Sequence, residues 1–132
     1  MLDTNAVSAF LRGRSTQLDV RIAEAPPDRL CVSVVTFAET AFGLAKRPGA
    51  TTLAAAAHDF FGKIEILDFD LAAGKTYGSL RALLETSGKP LSPLDMMIAA
   101  HAVSDGATLV SNDRAFRMVP SLEVQDWMQP ST

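Results

Sequence analysis

Four carboxylates carry the clearest chemical potential in this sequence. Asp3 stands in "MLDTNAVSAF", Glu39 in "VVTFAETAFG", Asp95 in "PLSPLDMMIAA" and Asp113 in "TLVSNDRAF". Each has a purely structural reading. An acid at the start of a helix accepts hydrogen bonds from free backbone N–H groups and suits the helix dipole. Ser92 serves as an N-cap with Pro93 first in the helix and Asp95 third, and Thr36 stands three residues before Glu39 in the same way. Taken together, the four acids say more. Carboxylates packed side by side raise one another's pKa, and desolvation adds to the effect. A hard divalent cation relieves that repulsion. Mg²⁺ prefers carboxylate oxygens and retains several waters, and such an ion activates water and neutralises charge on a phosphate.

Other chemistries lack their motifs. No Gly-x-Gly-x-x-Gly or Walker A lysine loop is present. His58 and His101 lie far apart in alanine-rich stretches, with no Cys or His partner at zinc spacing, and both read as ordinary helix residues. No serine sits in a nucleophile elbow. The phenylalanines at 37, 42, 60, 61 and 116 read as core rather than as base-stacking platforms. The single cysteine, Cys31, allows no internal disulfide, fits a reducing compartment, and reads as a small buried hydrophobe in "LCVSVV".

The elements that position the acids follow from periodicity. Short β-branched runs at 30–34 and 108–111 read as buried strands, with 64–69 a third candidate and 122–127 a weaker fourth. Met1-Leu2 reads as the tail of a first strand. Helical patterns run from Val7 to Gly13 and over 15–25, 35–47, 51–63, 71–85 and 92–106. The last is apolar on most faces and should be well buried. Breaks fall at "RGRS", "APPDR", "KRPGA", "SGKPLSP" and "SDG". Strands alternating with helices imply a mostly parallel sheet, and ligands of such sheets bind at the carboxyl ends of the strands. Asp3 and Asp113 directly follow strands. Glu39 is expected in the first turn of the helix after "LCVSV". These acids then emerge on one edge.

The bulk composition sets the outer limits. A chain of 132 residues, 48% hydrophobic, suits one domain with a substantial core. No run approaches the roughly 18 apolar residues of a membrane span, and the start lacks a secretory pattern. A soluble cytoplasmic protein is expected. The net charge of −3 is unlike that of a histone-like protein. With four acids gathered in one pocket, however, the remaining surface is neutral to slightly basic, so a phosphate-rich substrate stays open.

At this point "LDTNAVSAFL", the glutamate of "VVTFAETAFG", "SPLDMMIAAHA" and "TLVSNDRAF" resemble, in order and spacing, the motifs of PIN-domain ribonucleases, above all the VapC-type toxins of bacterial toxin–antitoxin pairs. The resemblance spans nearly the whole chain, 1–132, read as a single domain. It implies a three-layer α/β/α sandwich with a short, mostly parallel central sheet, and Mg²⁺- or Mn²⁺-dependent endonucleolytic cleavage of RNA by metal-activated water. It implies that Asp3, Glu39, Asp95 and Asp113 are the catalytic acids. Asp3 and Asp95 would be metal ligands, and Glu39 and Asp113 would complete the pocket directly or through waters. Asn5 and Ser111 match supporting polar positions. A homodimer and an inhibitory antitoxin are implied as partners. Two departures stand out. Ala115 occupies a position before Phe116 that often holds a further acid, and only two residues precede Asp3, so the first strand is short or the native start lies upstream.

RNA needs cations to hold it. Arg114 and Arg117 flank Asp113, Arg12 and Arg14 follow the first helical pattern, and Lys46-Arg47 closes the third. Arg114, adjacent to an acid of the pocket, is the strongest candidate. The rival readings are a metal-dependent phosphatase and a metal-binding scaffold module without turnover. The phosphatase would want a second acid two residues after Asp3, where Asn5 stands.

Overall fold

The computed structural model describes residues 1–88 and 91–130; the break expected at "SGKPLSP" lies partly outside them, at positions 89–90. The chain runs α1 (Thr4–Leu11), α2 (Thr16–Glu24), β1 (Cys31–Ser33), α3 (Val34–Ala45), α4 (Thr51–Phe61), β2 (Glu65–Leu67), α5 (Leu71–Thr86), α6 (Pro93–Asp105), β3 (Leu109–Val110) and β4 (Val124–Gln125). Single 3₁₀ turns cover Pro27–Arg29 and Arg114–Met118.

The strands are short and pair in parallel, β1 with β2 and β3 with β4. The opening residues stitch the two pairs together. Leu2 N–H donates to the Cys31 carbonyl at 2.9 Å, Asp3 N–H to the Val110 carbonyl at 3.1 Å, and Val110 N–H to the Met1 carbonyl at 2.8 Å. Residues 1–3 therefore occupy the middle of one parallel array, as expected for the tail of a first strand.

Alternation along these strands builds three layers, because successive side chains leave opposite faces of a sheet. Met1, Cys31, Leu67 and Leu109 join a cluster with Leu80 and Leu84 of α5 and Met96, Ile98 and Ala102 of α6. Leu2, Val32, Ile66 and Val110 join the opposite cluster, with Val7 of α1, Leu18 and Ile22 of α2 and Phe60 of α4. Buried strands covered on both faces by helices are the usual state of a parallel sheet. As expected, α6 is the most deeply buried helix, with Ile98, Ala99, Ala100 and Ala102 inaccessible to solvent.

Capping chemistry sets the helix ends. Ser15 accepts from Leu18 N–H, Ser33 from Val35 N–H, Asp70 from Ala73 N–H and Ser92 from Asp95 N–H. Helix α6 stops at Gly106, whose φ of 67° is the left-handed conformation glycine adopts without steric penalty.

Three expectations are corrected. Helix α3 starts at Val34 on the Ser33 cap, so Thr36 is an interior residue and Glu39 lies in the second turn rather than the first. A β-strand and its following helix share Ser33, leaving no linker to delay the helix. Phe37 and Phe42 are not core: they are 38% and 65% exposed, Phe37 standing edge-on to Phe61 at 5.1 Å, while Phe60 and Phe116 are buried. Cys31 is half-buried, because the residue alternates toward the α5–α6 face near its margin.

Candidate functional site

The carboxyl edge of the sheet gathers its acids through local caps. Asp3 ends the first strand segment and caps α1, its Oδ1 accepting from Ala6 N–H at 2.8 Å. Asp113 follows β3 and caps the 3₁₀ turn, its Oδ1 accepting from Ala115 N–H at 2.9 Å. Asp95 sits in the first turn of α6, beside its Ser92 cap. The structural reading of these acids is therefore correct, and it does not compete with the chemical one. A cap uses one carboxylate oxygen and fixes the side-chain rotamer, which leaves the other oxygen available at a defined place.

Burial and mutual charge then shape the group. Asp3 is only 2% exposed. Its pKa is raised to about 6, first by desolvation and further by the charges of Asp95 and Asp113, while the nearby Ser111 hydroxyl and the Ala6 N–H pull it down. The Asp95 carboxyl is likewise pushed up, by burial and by Asp113, with Ser92 opposing. Three acids separated by up to 110 positions thus lie within electrostatic reach of one another. Ser111, buried at the end of β3, accepts from Asp113 N–H at 3.0 Å and so touches both ends of the group.

Glu39 is tied to this edge only at one remove, and is not among the charges that act on Asp3 or Asp95. Its Oε1 accepts a hydrogen bond from the hydroxyl of Thr4, the residue after Asp3, at 2.7 Å. Thr4 is a contact that the sequence reading missed. Its only signal is adjacency to Asp3, and pairing it with Glu39 requires knowing that α1 packs on α3. Asn5, by contrast, is exposed on the outer side of α1 and makes no side-chain hydrogen bond to any of the four acids. On a helix, neighbours one residue apart face directions about 100° apart, so only one of Thr4 and Asn5 can point at the edge.

The donor set suits a hard cation. All the candidate ligands are carboxylate oxygens, and among the described residues no three His, Cys, Asp or Glu side chains converge tightly enough to enclose a metal. Mg²⁺ is commonly held by one or two carboxylates with waters completing the shell. A pair such as Asp3 and Asp95, with the remaining acids a water away, fits that habit, and a cation there would offset the charge that lifts Asp3. Arg12, Arg14, Arg114 and Arg117 are exposed, and among the described residues none of them is in an ion pair. Neither histidine joins the acids. His58 is exposed on α4, and His101 is buried in α6 against Ser33.

Known proteins resemble this chain along almost all of it. The PIN domain model matches residues 1–122. The tRNA(fMet)-specific endonuclease VapC of Salmonella typhimurium is 33% identical over 128 residues, 96% of each chain. Ribonuclease VapC2 of Haemophilus influenzae is 34% identical over 129 residues, 97% of each chain. Among solved structures, DNA-bound VapBC from Salmonella typhimurium superposes with a TM-score of 0.89 at 33% identity, covering 96% of each chain. VapBC2 from Rickettsia felis, bound to a promoter DNA fragment, gives a TM-score of 0.88 at 28% identity, covering 95% of this chain and 96% of the other.

Proposed function

The chain belongs to the PIN-domain family, and from that premise we propose that it is a divalent-metal-dependent endoribonuclease acting as the toxin of a toxin–antitoxin pair. The observation that carries the reading is the meeting of Asp3, Asp95 and Asp113 at the carboxyl edge, where burial, with a smaller addition from the other two charges, raises the Asp3 pKa. Ribonuclease names among the relatives supply the reaction class.

Asp3 and Asp95 would hold the cation, Mg²⁺ or Mn²⁺, with Glu39 and Asp113 completing the pocket directly or through water. When bound, the ion neutralises charge at the scissile phosphate and makes water a better nucleophile. The chain's own groups do the rest. The caps on Asp3 and Asp113 hold their carboxylates still, and the Thr4 bond directs Glu39 Oε1 toward the same edge. From there Glu39 or Asp113 orients the attacking water and accepts its proton. Arg114 and Arg117, beside Asp113, and Arg12 and Arg14, after α1, bind the flanking phosphates. No side chain needs to be modified covalently.

The partners follow from the same reading. An antitoxin covers the acidic edge, and the toxin works as a homodimer in the cytoplasm; a member of the VapBC family of toxin–antitoxin systems is among the solved structures this chain resembles. Among the described residues no helix is long and apolar enough to cross a membrane. Initiator tRNA is the first substrate to try, because the Salmonella relative is named for it.

The test is direct. Purified protein is incubated with initiator tRNA and with other structured RNAs, in Mg²⁺ or in EDTA, beside the Asp95→Asn variant. Discrete cleavage is expected with Mg²⁺ alone, and loss of at least 100-fold on Asp95→Asn, about the magnitude of losing one group that stabilises the transition state. Cleavage that persists in EDTA or in the variant refutes the assignment.

A further inference from the structure

We propose that Thr4 is a positioning residue for Glu39: its hydroxyl holds the glutamate at the acidic edge, so that one helical turn sets both Asp3 and Glu39. The inference rests on the ribonuclease reading and concerns how the acid supplied by a different helix is kept in place.

No backbone N–H holds the Glu39 carboxylate, unlike those of Asp3 and Asp113. Asp3 and Asp113 are fixed by caps, and Asp95 lies beside the Ser92 cap. Glu39 comes from the second turn of α3 and carries one more rotatable bond than an aspartate. Its own helix offers no support on the next turn, since the residue four positions on is Gly43, which has no side chain and faces open space. The 2.7 Å bond from Thr4 Oγ1 is what holds it, in the range of a charge-assisted O–H···O contact.

Thr4 is well prepared for this task. It is the first residue of α1, and the Asp3 cap fixes the backbone on which it stands. Its β-branch restricts χ1. Its hydroxyl has one proton. When that proton goes to Glu39, the buried Thr36 hydroxyl, 3.4 Å away, is placed to donate to Thr4 Oγ1 in turn. The short chain Thr36–Thr4–Glu39 thus joins the interior of α3 to the start of α1.

Space and charge give Glu39 somewhere else to go. Thr4 and Glu39 line a recess of about 110 Å³ between α1 and α3, together with Ser8, Thr40 and Arg12. A glutamate released by Thr4 has room to turn along this recess, and Arg12 supplies a competing cation. Losing the hydroxyl therefore draws the carboxylate away from the edge without unfolding the protein.

The test compares Thr4→Val, which keeps the shape and removes the donor, with Thr4→Ser, which keeps the donor. Each variant is titrated with Mn²⁺ in the absence of RNA, followed by electron paramagnetic resonance of the free ion, and each is assayed for RNA cleavage against Mg²⁺ concentration. Thermal melting checks that both remain folded. The expected result for Thr4→Val is about 10-fold or greater weakening of Mn²⁺ binding, with a matching rise in the Mg²⁺ needed for half-maximal cleavage, the size of a lost hydrogen bond to a charged group. Thr4→Ser should stay within about 3-fold of the parent, since its donor is retained. Parent-like Mn²⁺ binding by Thr4→Val overturns the inference, as does impairment of Thr4→Ser equal to that of Thr4→Val, since retaining the donor would then protect nothing. A parent protein that binds Mn²⁺ but cuts no RNA overturns the ribonuclease reading instead, and the Mn²⁺ titration still decides the role of Thr4.

Discussion

Asp3 combines three jobs in one side chain: it closes a strand, caps α1 and meets Asp95 and Asp113. The consequence is a buried carboxyl with a pKa near 6 in place of 3.8. A raised folded-state pKa means the native protein holds the proton longer than the unfolded chain does. Its stabilising contribution is complete below about pH 4 and is lost as pH rises through 6, a difference on the order of 3 kcal/mol. A divalent cation binds the ionised form and should restore that loss. Melting measured near pH 7.5 should therefore rise markedly on adding Mg²⁺, and near pH 5 it should rise little. Asp3→Asn keeps a competent N-cap and removes the charge. In EDTA near pH 7.5 this variant should melt above the parent and show no Mg²⁺ shift. An equal Mg²⁺ shift at both pH values, or in Asp3→Asn, would refute Asp3 as a ligand. His101 works in the opposite direction, because burial lowers its pKa and stability then rises as pH climbs toward 6.5; comparing parent and variant at each pH cancels it. At this scale type and placement in the sequence pointed to Asp3, Asp95 and Asp113, which the structure brings within electrostatic reach of one another. The partner of Glu39 was not. The motif drew attention to Asn5, whereas helix geometry turns Thr4 toward the edge and Asn5 to solvent.

Helix α3 shows how an element is located by one residue. Ser33 ends β1, caps α3 through Val35 N–H at 3.1 Å, and meets His101 Nδ1 of α6 at 2.7 Å. Ser33 Oγ thus serves the backbone and a buried imidazole at once, and burial lowers the pKa of that imidazole. The contact pins the start of α3 to α6, and so sets how far along the edge Glu39 arrives relative to Asp95. Ser15 caps α2 with no such tertiary partner. Ser15→Ala should cost about 1 kcal/mol in urea unfolding. Ser33→Ala should cost about twice as much or more, since it also leaves a buried imidazole nitrogen unpaired. Equal costs would show that the His101 contact contributes nothing. The element boundaries were largely readable: apolar runs marked β1 and β3, and Gly106 and Ser92 marked the ends of α6. The start of α3 was misplaced because the Thr36–Glu39 spacing imitates a capping box, and only the sheet register shows that Ser33 has already begun the helix. The same limit applies to Asp70. It too is an acid at a strand–helix junction and caps α5, but it follows the edge strand β2 and is exposed. Local pattern does not tell a central strand from an edge strand.

Across the whole molecule, the two hydrophobic clusters are not independent cores. Residues 1–3 and β3 contribute alternate side chains to both: Met1 and Leu109 to the cluster under α5 and α6, Leu2 and Val110 to the cluster under α1, α2 and α4. Neither face can lose its packing while the shared strands keep their register, because a strand that shifts moves every side chain it carries. The sequence made three layers legible through alternation. It did not show that four residues at the centre, Met1, Leu2, Leu109 and Val110, divide between both layers, since that depends on the order Leu2, Val110 and Cys31 adopt in space. The arrangement places Asp3 and Asp113 on the part of the molecule that can least afford to move, just past the ends of its central strands. Unfolding should accordingly be a single transition. Trp127 packs against one cluster and reports on it by fluorescence, while far-ultraviolet circular dichroism is weighted toward the helices, including α5 and α6 over the other cluster. The two signals should follow one urea curve. Leu2→Ala and Leu109→Ala each delete a fully buried side chain and should each destabilise by about 2–5 kcal/mol. Each should also shift both signals together, although the residues face opposite layers. If Leu2→Ala moved the Trp127 curve and left the dichroism curve in place, the layers would be separate folding units, and the rigidity of the acidic edge would need another source.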